Sequence, residues 1–385
     1  EISPETIEHG GDPLFHDGQC DASCMDEPAP VYSTGTWFRR GDWFTIGEFA
    51  YWTKDESRKV GIAFDGSVVP DGRIATPSSL STRDAKHKFE PGLSLTLGRF
   101  LGRDAANRDH LFEIHFLGLF QWEGEATIRG LTGPSLDTLL NGGTFGSNRV
   151  IVPGQTVAGF TNTDVQSFTY DSDLNNLELN YSVRSRPGRD QMAMQPDGNW
   201  VRFKNAGCVK SVLGGLRLMR INELAQYLSR DDVLGTVNTV ESGIYRVNTD
   251  NDVFGPQIGM DFADSYDEWS WGLRGKVGGL INLTDRRSIV STTLTTFTNN
   301  QPTTTFAERQ EHINEEQFAF LAEVGAFGAY QLRPNLYVRA GYDVLFVSGL
   351  AVAPENMALA PAFMPMNISG DMVYHGGTVG FEALW

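Results

Sequence analysis

The residues best equipped for chemistry are scattered acids and bases, not a compact motif. Glu48, Glu113, His115, Glu178, Arg184, Arg217, Gln257, Asp261, Arg274, Lys276, Glu323, Arg339, Asp343 and Glu382 all sit within short runs where polar and apolar residues alternate. Each falls on the polar parity. Acids and bases in nearly equal measure on one face can pair across an interior, because unpaired charge in a poorly hydrated space is costly. In a wider interior they would line a water path and set ion preference. Catalysis is a poorer fit, since it needs a nucleophile, a base and an orienting group held together. No GxSxG, HExxH, P-loop or paired-glycine nucleotide signature occurs. His115 reads as an interior hydrogen-bonder and His375, on the oily parity, as an interfacial residue. Asp250-Asn251-Asp252 has the start of a calcium loop without the rest of it, and reads as a strand irregularity near a turn. No catalytic residue, metal site or cofactor is expected.

The three cysteines, Cys20, Cys24 and Cys208, have no second pair at zinc-finger spacing. Two pairings stay open in an oxidising compartment. Cys208 could bridge to Cys20 or Cys24 and tether the N-terminal segment at the mouth of the fold, or Cys20 and Cys24 could close a local loop. The start, Glu1-Ile2-Ser3-Pro4, reads as an exported N-terminus whose signal peptide has been removed.

The elements that must position these residues are strands. Trp269, Trp271, Leu273, Val277 and Ile281 share one parity, while Ser270, Arg274 and Lys276 share the other. That period of two gives one oily and one wet face. Phe318 to Tyr330, Leu336 to Phe346 and Val373 to Trp385 repeat it. Phe112, Ile114, Phe116, Phe120 and Trp122 follow it with Leu117 and Leu119 out of phase. No run approaches the ~18–20 apolar residues of a membrane helix. Mean hydropathy is −0.26, as a lipid-spanning barrel allows when only alternate residues meet lipid.

Residues 102–108, 264–267 and 332–334 read as short turns, and 55–88, 124–163, 283–314 and 349–370 as long loops. Short connections on one rim and long ones on the other predict an all-β fold: a transmembrane antiparallel up-and-down barrel with short periplasmic turns and long extracellular loops. Roughly ten strands are expected, or 12–14 if 164–185 and 241–263 are each split. Residues 1–42, rich in Pro, Gly, Asp and Glu, form an extended periplasmic segment, and 43–385 form the barrel. Val379, Phe381, Ala383 and Trp385 end the chain as an alternating run with a terminal aromatic. It resembles the signal read by the outer-membrane barrel assembly machinery, and its strand should pair with the one near Phe49 and Tyr51.

Several segments resemble a planctomycete family of outer-membrane β-barrel proteins. They are Pro91 to Gly98, Gly215 to Arg220, Asn251 to Gly259, Ala340 to Phe346 and Ala353-Pro354-Glu355-Asn356, and their order runs from about Glu48 to Trp385. The resemblance implies fold and location and transfers no activity. The net charge of −17 disfavours a nucleic-acid partner, which would want a basic stripe. The expected partners are outer-membrane lipid, the assembly machinery, and a homo-oligomeric or envelope partner. The expected role is structural and surface display around an interior largely filled by side chains, the alternative being a porin-like passive diffusion channel for ions and small solutes.

Overall fold

The computed structural model describes residues 43–55, 57–65, 79–130, 136–138, 159–160, 163–185, 191–194, 200–203, 207–231, 239–266, 268–298, 301–333, 335–357 and 366–385. The expectations for residues 1–42, including Cys20 and Cys24, lie outside these. The elements are β1 (Trp43–Lys54), β2 (Gly61–Asp65), β3 (Ser79–Ser81), β4 (Glu90–Arg103), β5 (Arg108–Arg129), β6 (Leu136–Thr138), β7 (Val165–Ser185), β8 (Gln191–Met194), β9 (Trp200–Phe203), β10 (Gly207–Arg230), β11 (Thr239–Tyr266), β12 (Trp269–Thr298), β13 (Gln301–Arg333), β14 (Leu336–Leu350), a single helical turn α1 (Ala353–Asn356) and β15 (Gly370–Leu384).

Ten strands close into an antiparallel barrel in the order β1-β15-β14-β13-β12-β11-β10-β7-β5-β4. Neither 164–185 nor 241–263 is split, so the count stays at ten. β15 closes the ring against β1, with Phe49 opposite Val379 and Tyr51 opposite Gly377. Trp385 exchanges two 3.0 Å backbone hydrogen bonds with Trp43, which carries the seam to the last residue.

Alternation puts the oily parity outside. Val379 and Phe381 are 53% and 56% exposed, and Leu216, Ile258, Trp269 and Phe318 are also exposed. So continuous an apolar belt is stable only against lipid. On β12 it runs from Trp269 to Ile281. At ~3.3 Å per residue and ~40° tilt that is about 30 Å, the thickness of a bilayer core. Trp43, Trp271 and Trp385 mark its lower margin, where the rings of Trp269 and Tyr330 lie 4.7 Å apart. Tyr51, Phe89 and Tyr342 mark the upper one, with the Tyr51 and Phe89 rings stacked at 5.4 Å. Among the described residues no helix is long and apolar enough to cross a membrane.

The lower rim carries both ends of the barrel chain and the connections 104–107, 267–268 and 334–335. A longer connection, 186–206, also belongs to it and contains the β8–β9 ribbon. At the upper rim the expectation of a loop at 283–314 fails. β12 and β13 pair continuously out to Thr298 and Gln301, so this segment is a tall two-stranded ribbon. Its Thr-rich sequence has high strand propensity but no oily parity, because the inward positions Thr284, Arg286, Ser288 and Thr292 are buried yet polar and the part beyond Leu294 stands in water on both faces. β11 follows it up to Thr239, opposite Thr296. One side of the barrel therefore rises well above the other. The small sheet β3-β2-β6 lies at this end. Asp250-Asn251-Asp252 sits in mid-strand, in unbroken register with both neighbours, rather than at a turn.

The phase error around Leu117 and Leu119 is a bulge. Leu117 faces Asn176 and Phe120 faces Leu174, which leaves Gly118 and Leu119 together opposite Asn175. Leu119 takes φ +67° and donates its N–H to Asn175 Oδ1 at 3.1 Å. The extra residue reverses the parity above it. Phe120 and Trp122, expected on the lipid face, are therefore buried inside the barrel.

Candidate functional site

The interior is built in layers, each strand supplying an inward residue at a given height. In the middle, Glu178 (β7), Arg217 (β10), Lys276 (β12) and Glu323 (β13) form a closed quartet of two acids and two bases, all buried. Arg217 Nη2 lies 2.7 Å from Glu323 Oε2 and 3.3 Å from Glu178 Oε1. Lys276 Nζ lies 3.0 Å from Glu178 Oε2 and 2.9 Å from Glu323 Oε1. Neutral amides complete it. Asn176 Oδ1 accepts from Arg217 Nε at 2.7 Å, and Gln257 Nε2 donates to Glu178 Oε2 at 2.8 Å. His115 Nδ1 reaches Glu178 Oε1 at 3.2 Å. A buried ion pair holds only when its lone pairs and protons are this fully used.

Below the quartet, Arg339 (β14) lies 3.3 Å from Glu48 (β1) and 3.4 Å from Glu382 (β15). Its guanidinium sits 4.0 Å from the centre of the Phe327 ring, which Arg274 approaches from 5.4 Å. Around these residues is a chamber of about 170 Å³. It extends from the level of Lys276 to the lower rim at Glu268 and Trp269, and its wall includes Glu113, Arg184, Asp261 and Arg274. Asp343 faces inward over Gly325, where a Cβ would collide with its Oδ1.

Above the quartet the interior turns apolar. Trp52 (β1), Phe120 and Trp122 (β5) and Tyr374 (β15) stack in series at ring separations of 5.7, 5.1 and 5.4 Å. All four are buried, and Trp122 Nε1 donates to the Trp52 carbonyl at 3.0 Å. Gly92 makes room for the stack, since the Phe120 ring lies where a Cβ would be. Leu350, at the end of β14, and Val352, just after it, pack in the same buried cluster as this layer, and Ala351 and Ala353 are buried beside them. Asn251 holds both the N–H and the carbonyl of Ala351, at 2.8 and 3.0 Å. Asn282 donates to the Gly349 carbonyl at 2.9 Å, and Glu223 Oε2 accepts from Ala353 N at 2.9 Å. The other Glu223 oxygen takes Lys54 Nζ at 2.8 Å and the Tyr170 hydroxyl at 2.6 Å.

The structure thus brings six of the expected interior residues into the quartet and its shell: His115, Glu178, Arg217, Gln257, Lys276 and Glu323. It brings three more, Glu48, Arg339 and Glu382, into the lower triad. Glu113, Arg184, Asp261, Arg274 and Asp343 face inward without an ion pair to any described residue. Trp52, Lys54, Tyr170, Glu223, Asn251 and Asn282 were missed by the sequence reading. Trp52 and Lys54 could have been found, because they lie on the parity opposite Phe49 and Tyr51. Of the terminal run, Val379, Phe381 and Trp385 point outward. Cys208 lies at the lower rim opposite Asp264. It has no disulfide among the described residues, and its two candidate partners lie outside them.

Residues 182–359 match the model of a family described as "Putative beta barrel porin-7 (BBP7)". No curated protein matches the chain. Among solved structures, the outer-membrane protease OmpT from Escherichia coli is similar at 11% identity, covering 89% of this chain and 97% of that one, with a TM-score of 0.38. The P. putida toluene transporter TodX is similar at 9% identity, covering 93% and 92%, with a TM-score of 0.24. Likenesses at this level carry no argument about activity. Ten antiparallel strands closed head to tail with an apolar belt of membrane thickness make the chain a membrane-type β-barrel, and its residues 182–359 are similar to a family of putative barrel porins.

Proposed function

We propose that this barrel is a non-enzymatic outer-membrane protein closed to free diffusion, which anchors in lipid and displays its tall upper sheet outward. In this orientation the lower rim is periplasmic, as the short connections of such barrels are. The observation that carries the reading is the buried stack of Trp52, Phe120, Trp122 and Tyr374 across the interior, directly above the Glu178–Arg217–Lys276–Glu323 quartet. Ten strands enclose a space that side chains can fill. An aromatic layer over a neutralised ionic layer offers no wet column to a solute. The display role is supported by β12 and β13, which continue as a paired ribbon far beyond the lipid belt. Assembly through the terminal strand, and a homo-oligomeric or envelope partner, belong to the same proposal.

The second reading, a passive diffusion channel, draws on the porin family matched over residues 182–359. It requires the inward segment around Ala351 to leave its Asn251 and Glu223 contacts. Planar-bilayer recording of the purified barrel separates the two. The closed reading expects no steady conductance above the bare bilayer. Steady open events whose conductance scales with salt would establish the channel instead.

A further inference from the structure

The chamber at the lower rim has a property that the closed-barrel reading does not use. In the layer above it every charge is matched, yet its own wall holds charges of both signs left apart. Asp261 and Arg274 are cross-strand partners on the same inward face. Opposite charges so placed ordinarily pair. Here the Arg274 guanidinium lies 5.4 Å from the centre of the Phe327 ring, in the field of Asp343 as well as Asp261 but in an ion pair with neither, and Asp261 faces the chamber. Arg184 lies opposite Asp109, whose carboxylate is held by Arg103 Nε at 2.7 Å. Glu113, across the chamber, accepts only a long 3.4 Å bond from Ser182 Oγ among the side-chain contacts found. None of Glu113, Arg184, Asp261 and Arg274 forms an ion pair with a described residue.

Two acids and two bases held apart around one cavity are complementary to a molecule carrying both signs. A ligand that is only an anion would satisfy the guanidinium groups and leave the carboxylates facing it, and a cation the reverse. Ile46, Val209 and Leu213 add an apolar stretch to the same wall, suited to apolar side chains between two free ends. We propose that this chamber is a binding site for a short, free-ended peptide, its carboxylate taken by Arg274 and Arg184 and its ammonium by Asp261 and Glu113. The site faces the rim assigned to the periplasm, so it would be loaded from that compartment whether or not the barrel conducts.

Isothermal titration of the detergent-solubilised full chain tests this with three probes: the dipeptide Leu-Leu, its N-acetyl form and its C-terminal amide. Saturable binding of the free dipeptide is expected, weakened at least tenfold when either end is blocked. Arg274→Gln should weaken the free dipeptide and the N-acetyl form, and leave the already weak amide little changed. Asp261→Asn should do the converse. A heat-dependent gel shift confirms that each variant is folded, and two variants on different strands guard against one failing to fold. Absence of saturable binding, equal affinity of the free and capped forms, or indifference to both substitutions would overturn the proposal. None of these outcomes bears on conductance, so the closed-barrel reading stands or falls separately.

Discussion

Replacing Glu178 with Gln should destabilise the barrel by about 3–5 kcal/mol, the cost typical of breaking a buried ion pair from one side. The side chain keeps its shape and part of its hydrogen bonding. What it loses is the charge facing Lys276 Nζ at 3.0 Å and Arg217 Nη2 at 3.3 Å. Two fully buried cations then share the single carboxylate of Glu323, and the quartet carries a net positive charge away from water. The same reasoning fixes the double variant. Glu178→Gln with Lys276→Met returns the layer to neutrality with a similar volume. It should therefore be less destabilised than the sum of the single variants, with a coupling of about 2–3 kcal/mol, near the top of the range for contacting residues. Urea titration of barrels folded into phosphatidylcholine vesicles, followed by tryptophan fluorescence, measures all four species of the cycle. A loss below ~1 kcal/mol for Glu178→Gln, or strict additivity, would refute the account. The layer would then have to be hydrated and its charges screened.

The interior stack, the cap and the ribbon give further expectations. Trp122→Ala should cost about 3–5 kcal/mol, and combined with Phe120→Ala should produce steady conductance in planar bilayers that the closed reading denies to the native barrel. His87 lies in the connection before β4, where burial and then the Lys54 ammonium lower its pKa to about 4, against the Tyr170 carbonyl it contacts at 3.0 Å. Because the folded value lies below the ordinary 6.5, the unfolded chain binds more protons between them. Stability should therefore fall as pH drops from about 6.5 toward 4, by on the order of 3 kcal/mol, a loss that His87→Asn removes in pH-dependent denaturant titrations. Deleting 295–304 at the ribbon tip and closing Leu294 to Thr305 with an Asn-Gly turn should change stability by less than ~1 kcal/mol in the same titrations, since both faces there are solvated.

Legibility in the sequence followed lipid contact. Where a strand meets the bilayer, only one parity may be apolar, and β12, β14 and β15 declare both their existence and their faces. The terminal seam was readable for the same reason, down to Phe49 opposite Val379. Above the lipid the constraint lapses. In residues 283–314 the buried inward positions Thr284, Arg286, Ser288 and Thr292 are polar and the part beyond Leu294 is solvated on both faces, so the segment shows no oily parity and its polarity suggests a loop.

Phe120 and Trp122 show a different limit. Their alternation was real, but one extra residue at Gly118–Leu119 reversed its meaning. Nothing in the local pattern distinguishes an aromatic facing lipid from one facing an apolar interior. That single inversion carries much of the functional weight. With Phe120 and Trp122 outside, the layer above the quartet would keep the apolar Leu174, Leu280, Leu321, Leu345 and Val347 but lose the middle of its aromatic stack. With them inside, the stack runs unbroken from Trp52 to Tyr374. Parity alone puts the charged residues of each strand on one face; which of them pair is not legible, because pairing depends on strand order around the ring. Glu178 meets Lys276 across 98 residues and Arg217 meets Glu323 across 106, separations that no sequence window spans. The acids and bases left out of that pairing, at Glu113, Arg184, Asp261 and Arg274, are the part of the interior whose arrangement a filled core does not require.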